Sequence, residues 1–356
     1  MKVLFVYYVP SGGVETLNRQ RCRALRLAGI EAHCLYYKWG SGMQNAADFP
    51  IYVTRNDIEI KHILDSNNFD VIVVTTDHAS FPRFRMLGFK GKFVLEIQGY
   101  GPKSVAHAQL TQAAPYVNQY ADALLNPNTP HIAALFQQLY PHKPQFHFNN
   151  CFDSQEFTYS HYPSSPDSPV MAWLGRIEDN KNWREFLHIG HALKEHVPDL
   201  QMWMFEDIEL SQPAEREQFL ALIHELDLLD RLTLRSNVPN AEMPYYYSVI
   251  GDSGGFLCCT SKVEGAPYAV LEAMSCRCPV LTTDSDGVST SVYHNSTGKF
   301  YVLGNVHHAV NEALELMRDS DLREQIRSKA MRHVEHNFNP HIYAMNFAGL
   351  LQSIGL

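Results

Sequence analysis

Residues 2–37 read KVLFVYYVPSGGVETLNRQRCRALRLAGIEAHCLYY. Residues 2–9 are a continuous apolar, β-branched and aromatic run, the pattern of a strand buried on both faces of a parallel sheet. The breakers Pro10, Ser11, Gly12 and Gly13 end it. From 14 to 29, Val14, Leu17, Arg21, Ala24, Leu25 and Ala28 fall at helical spacing, and Gly29 closes the segment. Residues 32–37 read as strand again. Strand, glycine turn, helix and strand make one βαβ unit, the building block of a doubly wound sheet.

The alternation continues on both sides of an irregular middle. Strands are expected at 70–76, 92–97 and 123–125, with helices between them. Residues 149–169 (NNCFDSQEFTYSHYPSSPDSP) are rich in serine, proline and aromatics without periodicity, as a linker is. The pattern then restarts. Strands are expected at 170–174, 201–205, 232–234, 255–259 and 279–283, and helices at 183–195, 213–228, 267–277, 305–318, 320–336 and 340–352. Two such runs imply an α/β protein of two doubly wound, Rossmann-like domains facing a cleft. The first would cover 1–160 and the second 161–339, with a C-terminal helix in 340–356 packing back on the first. Ligands of such sheets bind beyond the carboxyl ends of the strands.

Bulk properties narrow the function. The 356 residues suffice for two full cores, and 45% hydrophobic with 19% charged residues is globular composition. A net charge of −9 argues against a nucleic-acid partner. No segment approaches the roughly 20 apolar residues of a membrane span and no secretory signal opens the chain, so a cytoplasmic location is expected. Arg19, Arg21, Arg23 and Arg26 on the first helix leave open a peripheral contact with anionic lipid at the inner face of a membrane. The seven cysteines, at 22, 34, 151, 258, 259, 276 and 278, form no CxxC pair and read as reduced, buried thiols.

The chemistry concentrates in Glu264-Gly265-Ala266-Pro267-Tyr268-Ala269-Val270-Leu271-Glu272-Ala273-Met274, which follows a buried strand and opens a helix. Proline at 267 suits the first helical turn, where no N–H is needed. Amide groups and dipole at a helix start favour a diphosphate. A carboxylate at Glu272, one and a half turns further on, suits a ribose diol.

This segment resembles the signature of the retaining family 4 glycosyltransferases of GT-B fold, in which two glutamates stand seven residues apart. Gly12-Gly13-Val14-Glu15, Asn150-Cys151-Phe152-Asp153 with Phe157, Gly175-Arg176 with Lys181, and Gly287 also resemble segments of that family. The resemblance implies a metal-independent, retaining hexosyltransferase that needs no cofactor and takes its sugar from a nucleotide-sugar donor, UDP-linked above all. The acceptor would be a carbohydrate, lipid-linked or small-molecule hydroxyl, in glycan or cell-surface polysaccharide biosynthesis. Arg176 and Lys181 would neutralise the diphosphate and Glu272 would hold the ribose. Glu264 would lie near the donor sugar, and Gly12 and Gly13 would bring backbone amides close. Gly265, Ala266, Pro267 and Tyr268 would line the nucleotide site.

Departures from the family pattern are informative. Gln98 stands where the family carries a histidine, with His78 as an alternative sugar or acceptor contact; Asn182, Arg277 and Cys151 stand where glycine is usual. Asp284-Ser285-Asp286 is a D-x-D, which holds a metal in the other major glycosyltransferase fold, but its late position argues for an ordinary loop. An epimerase or phosphorylase of the same fold fits the glutamate segment less well. A transferase-like binding or scaffold protein of weak or no activity is the alternative that the missing histidine keeps open.

Overall fold

The computed structural model describes residues 1–163 and 166–356. Ser164 and Ser165, in the expected linker, lie outside the described residues. The chain divides into two compact units, Met1–Phe152 with Asn337–Leu356, and Asp153–His336. Residues 153–160 fall with the second unit. Ser275 Oγ donates to the Phe157 carbonyl at 2.6 Å, and Tyr159 Oη to Asp252 at 3.0 Å.

In the first unit β1 (Lys2–Tyr7), β2 (Glu31–Tyr36), β3 (Ile51–Val53), β4 (Val71–Thr75), β5 (Lys92–Glu96), β6 (Ala123–Asn126) and β7 (Gln145–His147) form a sheet of order β3-β2-β1-β4-β5-β6-β7. Its pairs are parallel; Phe5 lies opposite Cys34 and Val73. Helices α1 (Gly12–Leu27), α2 (Asp57–Asn67), α3 (Phe81–Met86), α4 (Lys103–Tyr120) and α5 (Pro130–Leu139) cover it. The strand order reverses between β1 and β4, so the segments after Tyr7 and Thr75 flank the switch point.

The second unit repeats the plan with β8 (Val170–Leu174), α6 (Trp183–Leu193), β9 (Gln201–Glu206), α7 (Pro213–Glu225), β10 (Leu232–Ser236), α8 (Met243–Asp252), β11 (Phe256–Cys259), α9 (Tyr268–Ser275), β12 (Val280–Thr283), β13 (Lys299–Tyr301), α10 (Val306–Arg318) and α11 (Ser320–Asn337). Its parallel sheet has the order β10-β9-β8-β11-β12-β13, with the switch point between β8 and β11. The final helix, α12 (Pro340–Ser353), packs on α1 in the first unit, where Phe347 meets Phe5 at 5.8 Å between ring centres.

Two expectations need correction. Helix α1 starts at Gly12, two residues early, because φ +63° at this glycine turns the chain straight from the Pro10 bend into the helix. Nor does α1 offer a free basic face to lipid. Arg21 is fully buried, bonded to Glu96 at 2.6 Å and stacked 3.6 Å from the Phe5 ring centre. Arg19 is buried beside Glu15, and Arg23 and Arg26 both bridge Asp48. Arg21, Arg23 and Arg26 tie the helix to other segments of its own unit, and Arg19 pairs within the helix. Among the described residues no helix is long and apolar enough to cross a membrane. All seven cysteines are free thiols, and six of them are buried.

Candidate active site

In the second unit the switch point brings together two loops, one after β8 and one after β11. The first carries Gly175, Arg176 and the short turn Asp179–Lys181, then Asn182 at φ +52°. Asparagine tolerates this left-handed backbone where the family uses glycine. The second runs from Thr260 to Pro267 into α9.

Hydrogen bonds stitch the two together. Trp173 Nε1 donates to Thr260 Oγ1 at 3.2 Å, and that hydroxyl shares its one proton between the carbonyls of Lys181 and Asn182, each at 3.0 Å. Asn180 Nδ2 donates to the Val263 carbonyl at 3.0 Å, and the Lys262 amide to the Asn180 carbonyl at 2.9 Å. Held this way, Lys181 Nζ donates to Glu264 Oε1, with both side chains more than three-quarters buried. A cation and a carboxylate are thus paired at the carboxyl ends of the central strands.

A third loop, after β12, locks Glu264 from behind. The Glu264 amide donates to the Ser285 carbonyl at 2.9 Å, and the Gly287 amide to the Glu264 carbonyl at 3.0 Å. A Cβ on Gly287 would lie 1.6 Å from the Gly265 carbonyl oxygen, so only glycine allows this approach. Asp286, at φ +66°, forms a bridge with Glu264 in this lock. Among the described residues no group of three or more His, Cys, Asp or Glu side chains is placed to hold a metal.

Glu272 lies inside α9 and is 4% exposed. Its carboxylate accepts from Tyr247 Oη at 2.9 Å and from Asn240 Nδ2 at 3.3 Å. Burial, reinforced by Glu272, pushes the Tyr247 hydroxyl well above the usual tyrosine range, so it stays a donor. Neither Tyr247 nor Asn240 was legible from the sequence: both lie 25 or more residues from Glu272 on segments without a recognisable motif. Pro267 is not in the first helical turn as expected. At ψ 103° it is extended and caps the helix, which begins at Tyr268.

Arg176 is half-exposed and bonds Glu178 at 3.1 Å; it joins neither Glu264 nor Lys181. At the end of β11 the Cys259 thiol is pushed up to about 12, by burial first and then by Glu264, with Lys181 opposing. It stays protonated at neutral pH and is no nucleophile.

The remaining candidates lie beyond the carboxyl ends of the first unit's strands, Gly12, Gly13 and His78 at its switch point and Gln98 after β5. Gly12 and Gly13 open α1 beyond β1. His78 is buried in a short turn beyond β4, its ring 5.5 Å from that of Tyr116; burial lowers its pKa, so the imidazole is neutral. Gln98 is engaged with Asn150 in a reciprocal amide pair, at 3.2 Å and 2.7 Å.

Two Rossmann-like sheets, one carrying a paired lysine and glutamate at its switch point, define a protein of the GT-B fold. The family model "Glycosyl transferases group 1" matches residues 155–333, and the chain belongs to that family. The chain is 22% identical over 184 residues to 2-deoxystreptamine N-acetyl-D-glucosaminyltransferase of Niallia circulans, covering 52% of this chain and 45% of the relative. It is 24% identical over 190 residues to alpha-D-kanosaminyltransferase of Streptomyces kanamyceticus, covering 53% and 47%. The chain therefore matches about half the length of these curated relatives. Among solved structures it is similar to Anabaena Alr3699/HepE in complex with UDP-glucose (TM-score 0.82, 17% identity, 99% of this chain and 100% of that one). It is also similar to sucrose-phosphate synthase from Thermosynechococcus elongatus (TM-score 0.81, 16% identity, 99% of each chain).

Proposed function

We propose that this protein transfers a sugar from a UDP-sugar to an acceptor hydroxyl, with retention of configuration and without a metal, in glycan or cell-surface polysaccharide biosynthesis. The observation that carries this reading is the pairing of Lys181 with Glu264 at the second switch point, with Glu272 held one helix turn beyond the α9 start. A diphosphate at that helix start would meet backbone amides, Lys181 and the half-exposed Arg176, and the developing charge on the leaving nucleotide would be neutralised by the two cations. The buried Glu272 would take the ribose hydroxyls on a carboxylate already oriented by Tyr247 and Asn240. Glu264, released from part of its bond to Lys181, would face the donor sugar. The UDP complexes among the similar structures support the choice of base.

The test is a thermal-shift panel of UDP, GDP, ADP and CMP, with and without EDTA, on wild type and Glu272→Ala. A ligand of the native state raises the melting temperature by mass action. UDP is expected to stabilise the wild type regardless of EDTA and to leave the variant unmoved; a shift that requires a divalent metal, or none at all, sinks the reading.

The amide pair of Gln98 and Asn150 favours a second reading, a transferase-like protein that binds donor without turnover, since it ties up one donor and one acceptor site of each amide where the family carries a histidine. UDP binding without release of UDP from UDP-sugars, over a broad acceptor panel, would establish it.

A further inference from the structure

The second unit carries an aromatic row that the loops of the donor site do not use. It lies at the β10 edge of the sheet. In the strand register Trp203 stands opposite Ala172 and Thr233, and Phe205 opposite Arg235. Side chains alternate along a strand, so Trp203, Phe205 and Arg235 share one face, while Met202 and Met204 enter the core with α6 and α7 on the other. Over the first face Tyr246 of α8 meets Trp203 at 6.1 Å and Phe205 at 5.1 Å between ring centres. Tyr245 meets Tyr246 at 5.2 Å, and Tyr162, from the segment before β8, meets Tyr245 at 4.7 Å. β10 is the last strand, and each of its five residues is half-buried or exposed, so nothing in this unit closes the row from that side.

Arg235 lies on the row. Its Cζ is 5.0 Å from the ring centres of both Trp203 and Tyr246. Its Nε is shut off from solvent without a hydrogen-bond partner, and among the described residues the guanidinium has no ion pair. The carboxylate in register with the end of its strand, Glu206, is taken by Arg216 and by Ser236 Oγ. Among the described residues the indole N–H of Trp203 and the hydroxyls of Tyr245 and Tyr246 have no acceptor either. Tyr245 is 39% exposed. A weakly hydrated cation thus rests on an aromatic floor, ringed by hydrogen-bond donors, with no carboxylate of its own to answer it.

We propose that this face is a second carbohydrate site, apart from the donor site, and that it takes an acidic glycan through a hexuronate residue. The carboxylate meets Arg235, the CH face of the pyranose lies on Tyr245, and the ring hydroxyls accept from Trp203 and Tyr246. Charge and shape select this ligand together. A neutral sugar leaves the guanidinium unanswered, and an acidic peptide answers the guanidinium alone and leaves the ring faces. The row of four rings is longer than one sugar, which suits a chain. The inference does not rest on the transferase reading, because neither Lys181 nor Glu264 takes part.

Calorimetry and saturation-transfer NMR on the full chain test it, with trigalacturonate, its methyl ester and triglutamate as probes, each with and without added UDP. Trigalacturonate is expected to bind equally well in both conditions, with the ester and the peptide about fivefold weaker or more, since each lacks one half of the recognition. Affinity for trigalacturonate should fall about tenfold in Arg235→Met, which removes the charge, and about fivefold in Tyr245→Ala, which removes the platform. Arg235→Lys keeps the charge without the planar fork and should lose about threefold. The substituted residues are half-buried or exposed, so melting temperatures should hold; if Arg235→Met melts early, Arg235→Lys decides. No binding of trigalacturonate at millimolar concentration, an ester or peptide that binds as well, or affinity indifferent to the three substitutions overturns the site. Displacement of trigalacturonate by UDP also overturns it, because the glycan would then occupy the donor site.

Discussion

Glu272 shows what a single residue requires of its surroundings. A carboxylate at 4% exposure is tolerable only if both oxygens are bonded, and Tyr247 and Asn240 supply one donor each. Tyr247→Phe keeps the ring and removes the donor, leaving a buried carboxylate oxygen short of a bond. The expected cost is about 1–3 kcal/mol of stability, with a roughly tenfold loss of UDP affinity, read by chemical denaturation and calorimetry. Unchanged affinity would show that Glu272 does not need orienting. Lys181→Met should weaken UDP roughly 10–100-fold, the worth of a charge-assisted hydrogen bond. Glu264→Gln should leave UDP within about threefold while abolishing turnover; equal losses in the two variants would overturn their separate roles. At this scale the sequence singles out a residue type at a fixed spacing, as with Glu264 and Glu272, and the structure pairs the first with Lys181 and buries the second. It was silent where the partner arrives from a distant segment, as with Tyr247, and misleading where charge suggested exposure, as with Arg21 buried against Glu96.

The elements follow the same logic. Long apolar runs such as β1, β4 and β8 announce themselves because burial on both faces leaves no other composition. The three-residue strands β3, β7 and β13 do not: β3 is only half-buried throughout, and three residues carry no period. Helix α8 escaped notice because its sequence, MPYYYSVIGD, is poor in strong helix formers, and tertiary packing decides it. Turn chemistry was partly legible. Arg277 holds φ +58° where glycine is usual; its guanidinium pairs with Glu324 and its carbonyl accepts from Arg327 at 2.6 Å, contacts that offset the backbone cost. Gly287 admits no such compromise, since its obstacle is the backbone of Gly265. Gly287→Ala must push the Glu264 loop away, at about 1–3 kcal/mol for the overpacking, and should abolish UDP binding while circular dichroism stays native. Retained binding would show that the loop after β12 does not position Glu264.

Over the whole molecule, charge is divided unevenly between the two units. In the second unit Glu215 is held below the usual carboxylate range by Arg184. Burial pulls Glu312 upward, but Lys299, His294 and His308 outweigh it and leave it lowered. Asp252 and Glu324 are likewise lowered, burial being outweighed by His161, Arg327 and Tyr159 at one and by Arg277 at the other. A carboxylate depressed in the folded state stabilises above its unfolded pKa, and that stability is lost as pH falls through the folded value. In the first unit Asp48 and Glu31 are lowered but about half-exposed, as Glu324 is in the second, and solvent weakens the effect there; Glu215, Glu312 and Asp252 are the better shielded ones. Glu15 there is raised by burial despite Arg19, so protonating it on acidification is favourable. The second unit should therefore lose stability first as pH drops below the ordinary glutamate value of 4.5. Three of the four tryptophans, Trp173, Trp183 and Trp203, lie in it, with Trp173 and Trp183 fully buried, so their emission reports that unit. A red shift is expected to begin below that pH while part of the helical circular dichroism persists, and 0.5 M salt should narrow the gap by screening the more exposed pairs. Emission and helicity lost together in one transition would mean that the uneven distribution of paired carboxylates does not govern acid stability.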